Sequence, residues 1–190
     1  MNTTTPPTWN LLALCGSTRP DSSNHRLIEA VMAMAGGALK RLPFAGISSV
    51  PAFNPDQVDQ DTPGAILDFR KTLAKADAVL ICTPEYAHGV PGALKNVIDW
   101  TVPTGEFSGK PTCLITASTD GRYGHQALLE TLRVMEAGGI DQLELHIPFI
   151  RVKINPAGRI TDPATLEAVR KLLDRFLQVI AESRAGKYAG

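Results

Sequence analysis

The sequence has 190 residues and a mass of 20.4 kDa, and a chain of this length buries about 70% of its unfolded surface without disulfides or metal ions. Its 44% hydrophobic and 20% charged residues exclude a disordered, collagen-like or disulfide-scaffold protein. Nineteen basic residues balance nineteen acidic ones, so no overall positive field attracts nucleic acid or an anionic membrane. We expect a single domain over 1–190, flexible at 1–8, with a small-molecule partner.

The chain also lacks the signals of a membrane or secreted protein. No apolar run approaches the ~20 residues of a membrane helix, and the polar segment 1–8 lacks the basic and apolar parts of a secretory signal. Cys15, Cys82 and Cys113 are far apart and form no CxxC pair, which favours buried, reduced thiols over a redox or metal-binding role. The sequence therefore predicts a cytoplasmic protein.

Strand-like and helix-like segments alternate in the first half of the chain. A strand at Trp9–Cys15 precedes a helix with apolar residues at helical spacing between 27 and 34. A second strand, Leu39–Phe44, is followed by a long Pro-rich loop. The next helix has Thr62 as its predicted cap and extends to about Ala76.

The second half continues the alternation. Asp77–Thr83 and Lys110–Ser118 are apolar runs without alternation, typical of strands covered by helices on both faces. A short helix ending near Trp100 lies between them, and a helix that stops at Gly138 follows the second run. Leu143–Ile150 is a fifth predicted strand.

A final helix begins at Asp162 and Pro163, an N-cap followed by a first-turn proline. Five strands alternating with helices predict an α/β fold, a doubly wound parallel sheet with a helical layer on each face. If the strand order is 2-1-3-4-5, the loops after strands one, three and four meet where ligands bind. The final helix has an apolar stripe, which we assign to the core: Leu166, Val169, Leu173, Phe176 and Ile180.

The loop after the first strand, GSTRPDSSN at 16–24, has a composition suited to an anion. It brings four hydroxyls, one guanidinium and one amide to a helix N-terminus, where free N–H groups and the helix dipole favour negative charge. Because it lacks the glycine spacing of dinucleotide and triphosphate loops, it indicates the phosphate of a mononucleotide. Asp21 must then point to solvent or cap the helix. Ordinary capping is the alternative interpretation of the whole loop.

Two further loops offer contacts for a flat ligand. In PEYAHGVPG at 84–92, prolines stiffen the chain, glycines allow close approach, and Tyr86 and His88 present aromatic faces. The alternative is a rigid connector with Tyr86 in the core and His88 facing solvent or an interface. The loop STDGRYGH at 118–125 repeats the hydroxyls, glycines and aromatic residue, although it is equally compatible with a plain turn.

At these residues the sequence resembles the NADPH-dependent FMN reductase family of flavodoxin-like proteins, which includes quinone, azo-dye and chromate reductases. The family pattern G-S-x-R-x-x-S-x-N is matched by Gly16, Ser17, Arg19, Ser22 and Asn24. The pattern P-E-Y-N-x-x-x-P-G-x-L-K-N-x-I-D-W is matched by Pro84, Glu85, Tyr86, Pro91, Gly92, Leu94, Lys95, Asn96, Ile98, Asp99 and Trp100. The resemblance extends from about Leu11 to the last helix.

The resemblance implies FMN as the cofactor and NADPH or NADH as the co-substrate. It implies that the phosphate is held by Ser17, Arg19, Ser22 and Asn24. The ring and ribityl chain would lie against Pro84, Glu85, Tyr86, Ala87, His88, Ser118 and Gly121. Ala87 departs from the family, which usually has Asn there, and Gly124-His125 replaces a double glycine often found in the third loop.

The implied activity is hydride transfer from NAD(P)H through FMN to a small acceptor: a quinone, an azo compound, free flavin or a metal oxyanion. Since the flavin carries the hydride, we assign no catalytic side chain, and no metal ligand is assigned. The resemblance also implies a homodimer or homotetramer, with Trp100 either at the interface or in the core.

Two other functions stay open from the sequence. A non-enzymatic electron carrier or flavin-responsive interaction protein is disfavoured by the neutral charge balance, because redox docking surfaces are commonly acidic. The second open alternative is a flavodoxin-like protein that has lost its flavin. The sequence does not distinguish NADPH from NADH as the co-substrate, and it does not select one class of acceptor.

Overall fold

The computed structural model describes residues 7–58 and 61–186, so most of the segment predicted to be flexible, 1–8, lies outside the described residues. Five strands form one parallel sheet in the order β2-β1-β3-β4-β5, which confirms the predicted order. The strands are β1 (Trp9–Cys15), β2 (Leu39–Arg41), β3 (Ala78–Thr83), β4 (Thr112–Ala117) and β5 (Glu144–Ile147).

Helices cover both faces of this sheet and complete a flavodoxin-like arrangement of three layers. The α-helices of the described chain are α1 (Ser23–Met34), α2 (Gly64–Lys75), α3 (Gly92–Asp99), α4 (Arg122–Val134), α5 (Ile150–Lys153) and α6 (Pro163–Arg184). Helices α1 and α6 pack on one face, and α2, α3 and α4 pack on the other. Among these helices, none is both long enough and apolar enough to cross a membrane.

The alternation of side chains along β1 explains why the sheet has a core on each face. Leu11 packs into the cluster that contains Leu27 of α1 and Phe176 of α6. The next residue, Leu12, points the opposite way, into the cluster that contains Phe69 of α2. Every residue of β3 and β4 is buried, as their continuous apolar runs predict.

Several element boundaries differ from the predictions, including three that are described here. Strand β2 stops at Arg41 instead of Phe44, and β5 stops at Ile147 and is followed by α5, which the sequence analysis missed. Thr62 as the cap of α2 was wrong: the helix begins at Gly64 after Pro63. The Thr62 hydroxyl instead donates to the carbonyls of the preceding turn, at 2.9 and 2.6 Å.

The predicted start of α6 and the core role of its apolar stripe are confirmed. Asp162 accepts a hydrogen bond from the Thr165 amide at 2.8 Å, as an N-cap does. Phe176 and Ile180 are fully buried. Trp100 is also fully buried, and its Nε1 donates to the Pro51 carbonyl at 2.9 Å, which favours the core interpretation of that residue over the interface.

Candidate functional site

The loops after β1 and β3 meet directly at the carboxyl edge of the sheet. The Gly16 amide donates to the Cys82 carbonyl at 2.8 Å. A Cβ atom on Gly16 would overlap the Thr83 side chain, so only glycine allows the first loop to cross the end of β3 this closely. The family pattern that begins at Gly16 is thereby placed against the family pattern that begins at Pro84.

The loop after β4 is tied to both of the others. The Asn24 side-chain nitrogen donates to the Ala117 carbonyl at 3.0 Å, which joins the first turn of α1 to the end of β4. The Glu85 amide donates to the Ser118 hydroxyl at 3.2 Å, and the Glu85 carboxylate accepts from the Gly124 amide at 2.6 Å. Side chains that the sequence analysis assigned to a ligand therefore also hold the three loops together.

The converging loops enclose a cleft of about 590 Å³. Eight of the eleven predicted site residues line it: Ser17, Arg19, Ser22, Asn24, Pro84, Glu85, Tyr86 and Ser118. Ala87, His88 and Gly121 do not line this cleft. The three loops predicted to meet thus form one concave surface of the size that small-molecule sites have.

Residues 16–24, which we call the phosphate loop, bring hydroxyl, amide and guanidinium groups to the N-terminus of α1. Ser22 is the N-cap, and its hydroxyl accepts from the His25 amide at 3.2 Å. Asp21 is exposed and accepts two hydrogen bonds from Arg26, at 2.9 and 2.7 Å, so its charge is neutralised away from the helix end. The Arg19 guanidinium has no carboxylate partner within the described chain, which leaves it free to meet an anion.

Asn24 has a different chemistry from its neighbours. Its side-chain nitrogen is already bonded to Ala117, whereas its Oδ1 atom is buried and has no donor among the described residues. An amide oxygen accepts hydrogen bonds, and a fully ionised phosphate cannot donate one. The orphaned Oδ1 therefore suits a ligand hydroxyl, such as one on a polyol chain, better than it suits a phosphate.

The second loop turns back on itself beside the cleft. Tyr86 and Gly89 exchange backbone hydrogen bonds of 3.1 and 2.9 Å, and the two residues between them, Ala87 and His88, have φ of 47° and 57°. Positive φ at both central positions is characteristic of a type I′ hairpin turn, in which Asn and Gly are favoured. Because Asn adopts a positive φ more readily than Ala, the backbone conformation by itself explains why Asn suits position 87.

Aromatic side chains lie in and next to this hairpin turn. Tyr86 is 54% exposed, so the alternative that placed it in the core was wrong. The exposed His88 ring stacks on Tyr123 with centroids 4.3 Å apart and planes 28° apart. Arg122 lies over the same Tyr123 ring at 5.6 Å. Tyr86, which lines the cleft, and the exposed His88 ring beside it therefore offer flat faces to a planar molecule.

Gly121 has a backbone role in the third loop. Its φ is 100°, and a Cβ atom would lie 3.1 Å from the His146 ring and 3.2 Å from Thr116. The His146 ring lies beneath the loop, with its Nε2 atom 2.6 Å from the Asp120 carbonyl. Glycine is thus required here by conformation and by packing.

The sequence analysis missed a buried histidine that supports this loop. His125 contacts the Thr116 hydroxyl at 2.9 Å through Nδ1 and the Glu144 carboxylate at 2.7 Å through Nε2. Burial lowers the pKa of His125, although the hydrogen bond to Glu144 acts in the opposite direction. The pair ties α4 to β5 under the third loop.

The sequence analysis also missed Ile150 and Arg151, which line the cleft from α5. The prediction extended β5 through Ile150 and so placed both residues at or after a strand end. Pro148 was the available signal, because proline cannot donate a hydrogen bond to a strand ladder. Arg151 adds a guanidinium to a cleft that Arg19 and Arg26 also line.

Comparisons with known proteins identify the family of this chain. The model of the NADPH-dependent FMN reductase family matches residues 9–148. The chain is 31% identical to an NAD(P)H-dependent FMN reductase of Pseudomonas aeruginosa, over 90% of this chain and 92% of that protein. It is 29% identical to a 2-hydroxy-1,4-benzoquinone reductase of a Burkholderia species, over 92% of this chain and 97% of that protein.

A solved structure extends the similarity to three dimensions. The flavoenzyme NAD(P)H:(acceptor) oxidoreductase of Paracoccus denitrificans superposes with a TM-score of 0.73 at 26% identity, covering 93% of this chain and 99% of that one. Sequence and fold thus agree. The chain belongs to the NADPH-dependent FMN reductase family and is an oxidoreductase that uses FMN and NAD(P)H.

Proposed function

We propose that this chain transfers electrons from NADPH or NADH to a small quinone, with FMN held in the cleft between the three loops. The observation that carries the proposal is the unpaired Arg19 guanidinium beside the α1 N-terminus, in the cleft that eight predicted residues line. The chemistry that FMN supplies when bound is acceptance of a hydride from a reduced nicotinamide and its delivery to an acceptor. No protein acid or base is needed for that transfer.

Each wall of the cleft has a distinct part in this proposal. Ser17, Arg19 and Ser22 hold the phosphate by charge and hydroxyl donors at the helix N-terminus. The orphaned Asn24 oxygen accepts from a ribityl hydroxyl. The rigid second loop orients the ring, with Pro84, Glu85, Tyr86 and Ser118 lining that part of the cleft.

A quinone is the acceptor class that the aromatic mouth of the cleft supports best. Tyr86 and the stacked pair of His88 and Tyr123 offer flat faces to a planar molecule. The Burkholderia relative is named for a benzoquinone substrate. Azo compounds share the planar shape and are a secondary class, with free flavin and metal oxyanions as further acceptors of a small, open site.

We also propose that the chain forms a homodimer or homotetramer. Phe149 and Val152 flank the cleft-lining residues of α5 and are 61% and 80% exposed, which is unusual for large apolar side chains next to a binding site. Light scattering of the purified protein measures the oligomeric state. Residence in the cytoplasm stays a prediction, supported by the free thiols of Cys15, Cys82 and Cys113.

The phosphate assignment is tested by the substitution Arg19→Ala. Loss of one charge-assisted hydrogen bond should weaken FMN binding by about 1–3 kcal/mol, measured by titrating the apoprotein with FMN. Riboflavin, which lacks the phosphate, should bind the variant and the wild type equally. Arg133→Ala is the matched control, since Arg133 is paired with Asp141 outside the cleft. Unchanged FMN affinity in Arg19→Ala would contradict the assignment.

A further inference from the structure

His25 connects the phosphate loop to a thiol through one ring nitrogen. Its Nδ1 atom lies 3.0 Å from the Ser22 hydroxyl and 3.3 Å from the Cys15 sulfur. The His25 backbone amide donates to the same Ser22 hydroxyl at 3.2 Å. The hydroxyl that caps α1 is therefore held by two groups of one histidine.

The His25 ring also borders a second cavity, on the other side of the phosphate loop. This cavity of about 420 Å³ is lined by Cys15, Ser17, His25, Glu29 and Arg41 among others. Ser22 lines only the first cleft, and His25 lines only the second cavity. The imidazole can thus exchange protons with solvent while a ligand occupies the cleft.

Besides a bound phosphate, the hydroxyl proton of Ser22 has two possible acceptors, His25 Nδ1 at 3.0 Å and, more distantly, the Cys15 sulfur at 3.9 Å. When His25 Nδ1 carries no proton, it accepts the proton of Ser22, the nearer of its two neighbours. The hydroxyl then presents only lone pairs to a phosphate, which is unfavourable. When Nδ1 is protonated it donates to Ser22, and the hydroxyl proton is free to bond to the phosphate. Burial raises the pKa of the Cys15 thiol, so the sulfur contributes no negative charge here.

The charged groups around His25 are largely paired with one another. Glu29, one turn along α1, pairs with Arg41 at the end of β2 at 2.7 Å. Asp21 pairs with Arg26, and the Arg19 guanidinium is free within the described residues. No nearby carboxylate is therefore left unpaired to stabilise a protonated ring, and a phosphate in the cleft is the anion best placed to do so.

We infer that His25 positions Ser22 for phosphate binding and that protonation of its ring strengthens FMN binding. This inference rests on the proposed function. By linkage, a phosphate that binds more tightly to the protein with a protonated His25 must also make that protonation easier. His25 is a positioning residue, because it acts on the phosphate through Ser22.

The test compares FMN affinity of the wild type with that of two variants between pH 5.5 and 8.5. His25→Leu removes the ring donor, and His25→Asn keeps a neutral donor near the Nδ1 position. The ratio of variant to wild-type Kd cancels the ionisation of the FMN phosphate itself, which also occurs near about pH 6. Riboflavin is the control ligand, and thermal unfolding of each apoprotein checks its fold.

For His25→Leu we expect the Kd ratio to be about 10 at the acid end, where the ring is a charged donor, and to fall to about 2 at the alkaline end, where the neutral ring donates only as its Nδ1–H tautomer. His25→Asn should give a smaller ratio at every pH, about 5 at the acid end and about 1 at the alkaline end, because it keeps a neutral donor but lacks the charge. Riboflavin ratios should stay near one throughout. In NMR titrations of the wild type, the His25 ring should titrate at higher pH with FMN bound than with riboflavin bound.

A Kd ratio that is constant with pH, together with a His25 titration that FMN does not move, would overturn the inference and leave the proposed function intact. Equal weakening of FMN and riboflavin would also overturn it, because His25 would then only support the fold. Failure of the wild-type chain to bind FMN at any pH would overturn the proposed function as well.

Discussion

At the scale of single residues, the two arginines of the phosphate loop region differ in what they leave for a ligand. Arg26 is bonded twice to Asp21, whereas Arg19 has no carboxylate partner among the described residues. The sequence predicted Arg19 as a phosphate ligand and identified Asp21 as the residue that must turn away. The partner that turns Asp21 away, Arg26 five positions later, becomes visible only in three dimensions.

Ala87 is one of four non-glycine residues of the described chain with a positive φ. A left-handed conformation costs an L-residue with a Cβ atom roughly 1–2 kcal/mol, and Asn tolerates it best after Gly. Ala87 has φ of 47° and an exposed side chain. The family preference for Asn therefore has a conformational reason that is independent of any flavin contact.

We expect Ala87→Asn to stabilise the protein by about 1 kcal/mol, because Asn reduces the strain of the left-handed turn. Thermal unfolding of the apoprotein measures the change. Ala127→Asn is the control: Ala127 is also exposed but lies within helix α4, where Asn should cost about 0.5 kcal/mol. If both variants were destabilised, strain at residue 87 would not be the reason for the family preference.

At the scale of secondary-structure elements, the last residues of the family pattern that runs from Pro84 to Trp100 support the fold. Asn96 of α3 accepts from the Phe53 amide at 2.7 Å and donates to the Pro51 carbonyl at 2.9 Å. Trp100 donates to the same carbonyl and packs edge-on against Phe53 at 5.1 Å. These motif residues therefore fix the long Pro-rich loop, while the start of the same motif forms the cleft.

Asn96→Ala should destabilise the protein by about 2 kcal/mol, since it leaves a backbone amide and a carbonyl of the Pro-rich loop without partners. Hydrogen exchange at the Phe53 amide should accelerate along with the lower free energy of unfolding. Lys95→Ala is the matched control on the same helix, because the partly exposed pair of Lys95 and Asp99 is worth less than about 1 kcal/mol. Equal effects of the two substitutions would refute the anchoring role.

The ends of helices and strands were predicted correctly where the residues that decide them are close together in the sequence. The cap at Asp162 is decided within three residues and was predicted correctly. Thr62 is also a residue type that caps helices, yet its hydroxyl donates to carbonyls of the preceding turn. Residue propensity does not predict which of these two hydrogen-bonding roles a threonine takes. Helix α5 was missed because the apolar run through Ile150 continues past Pro148, the residue that ends the strand.

At the scale of the whole molecule, the strand order accounts for most of the site. Apolar runs and punctuation predicted five parallel strands, and the order 2-1-3-4-5 brings three separate loops to one cleft. The polar support beneath the loops was not predictable in this way. His125 reaches Glu144 across two elements, and His25 of α1 reaches Cys15 of β1, contacts that periodicity does not encode.

The most direct test of a flavin-dependent NAD(P)H:quinone oxidoreductase is a stepwise anaerobic titration followed by visible absorbance. The protein is loaded with one equivalent of FMN, NADPH or NADH is added, and benzoquinone follows. We predict that one equivalent of reduced nicotinamide bleaches the bound flavin and that one equivalent of benzoquinone restores its colour. Bound flavin that keeps its colour with both nicotinamides would contradict the proposed reductase and favour a non-enzymatic flavoprotein.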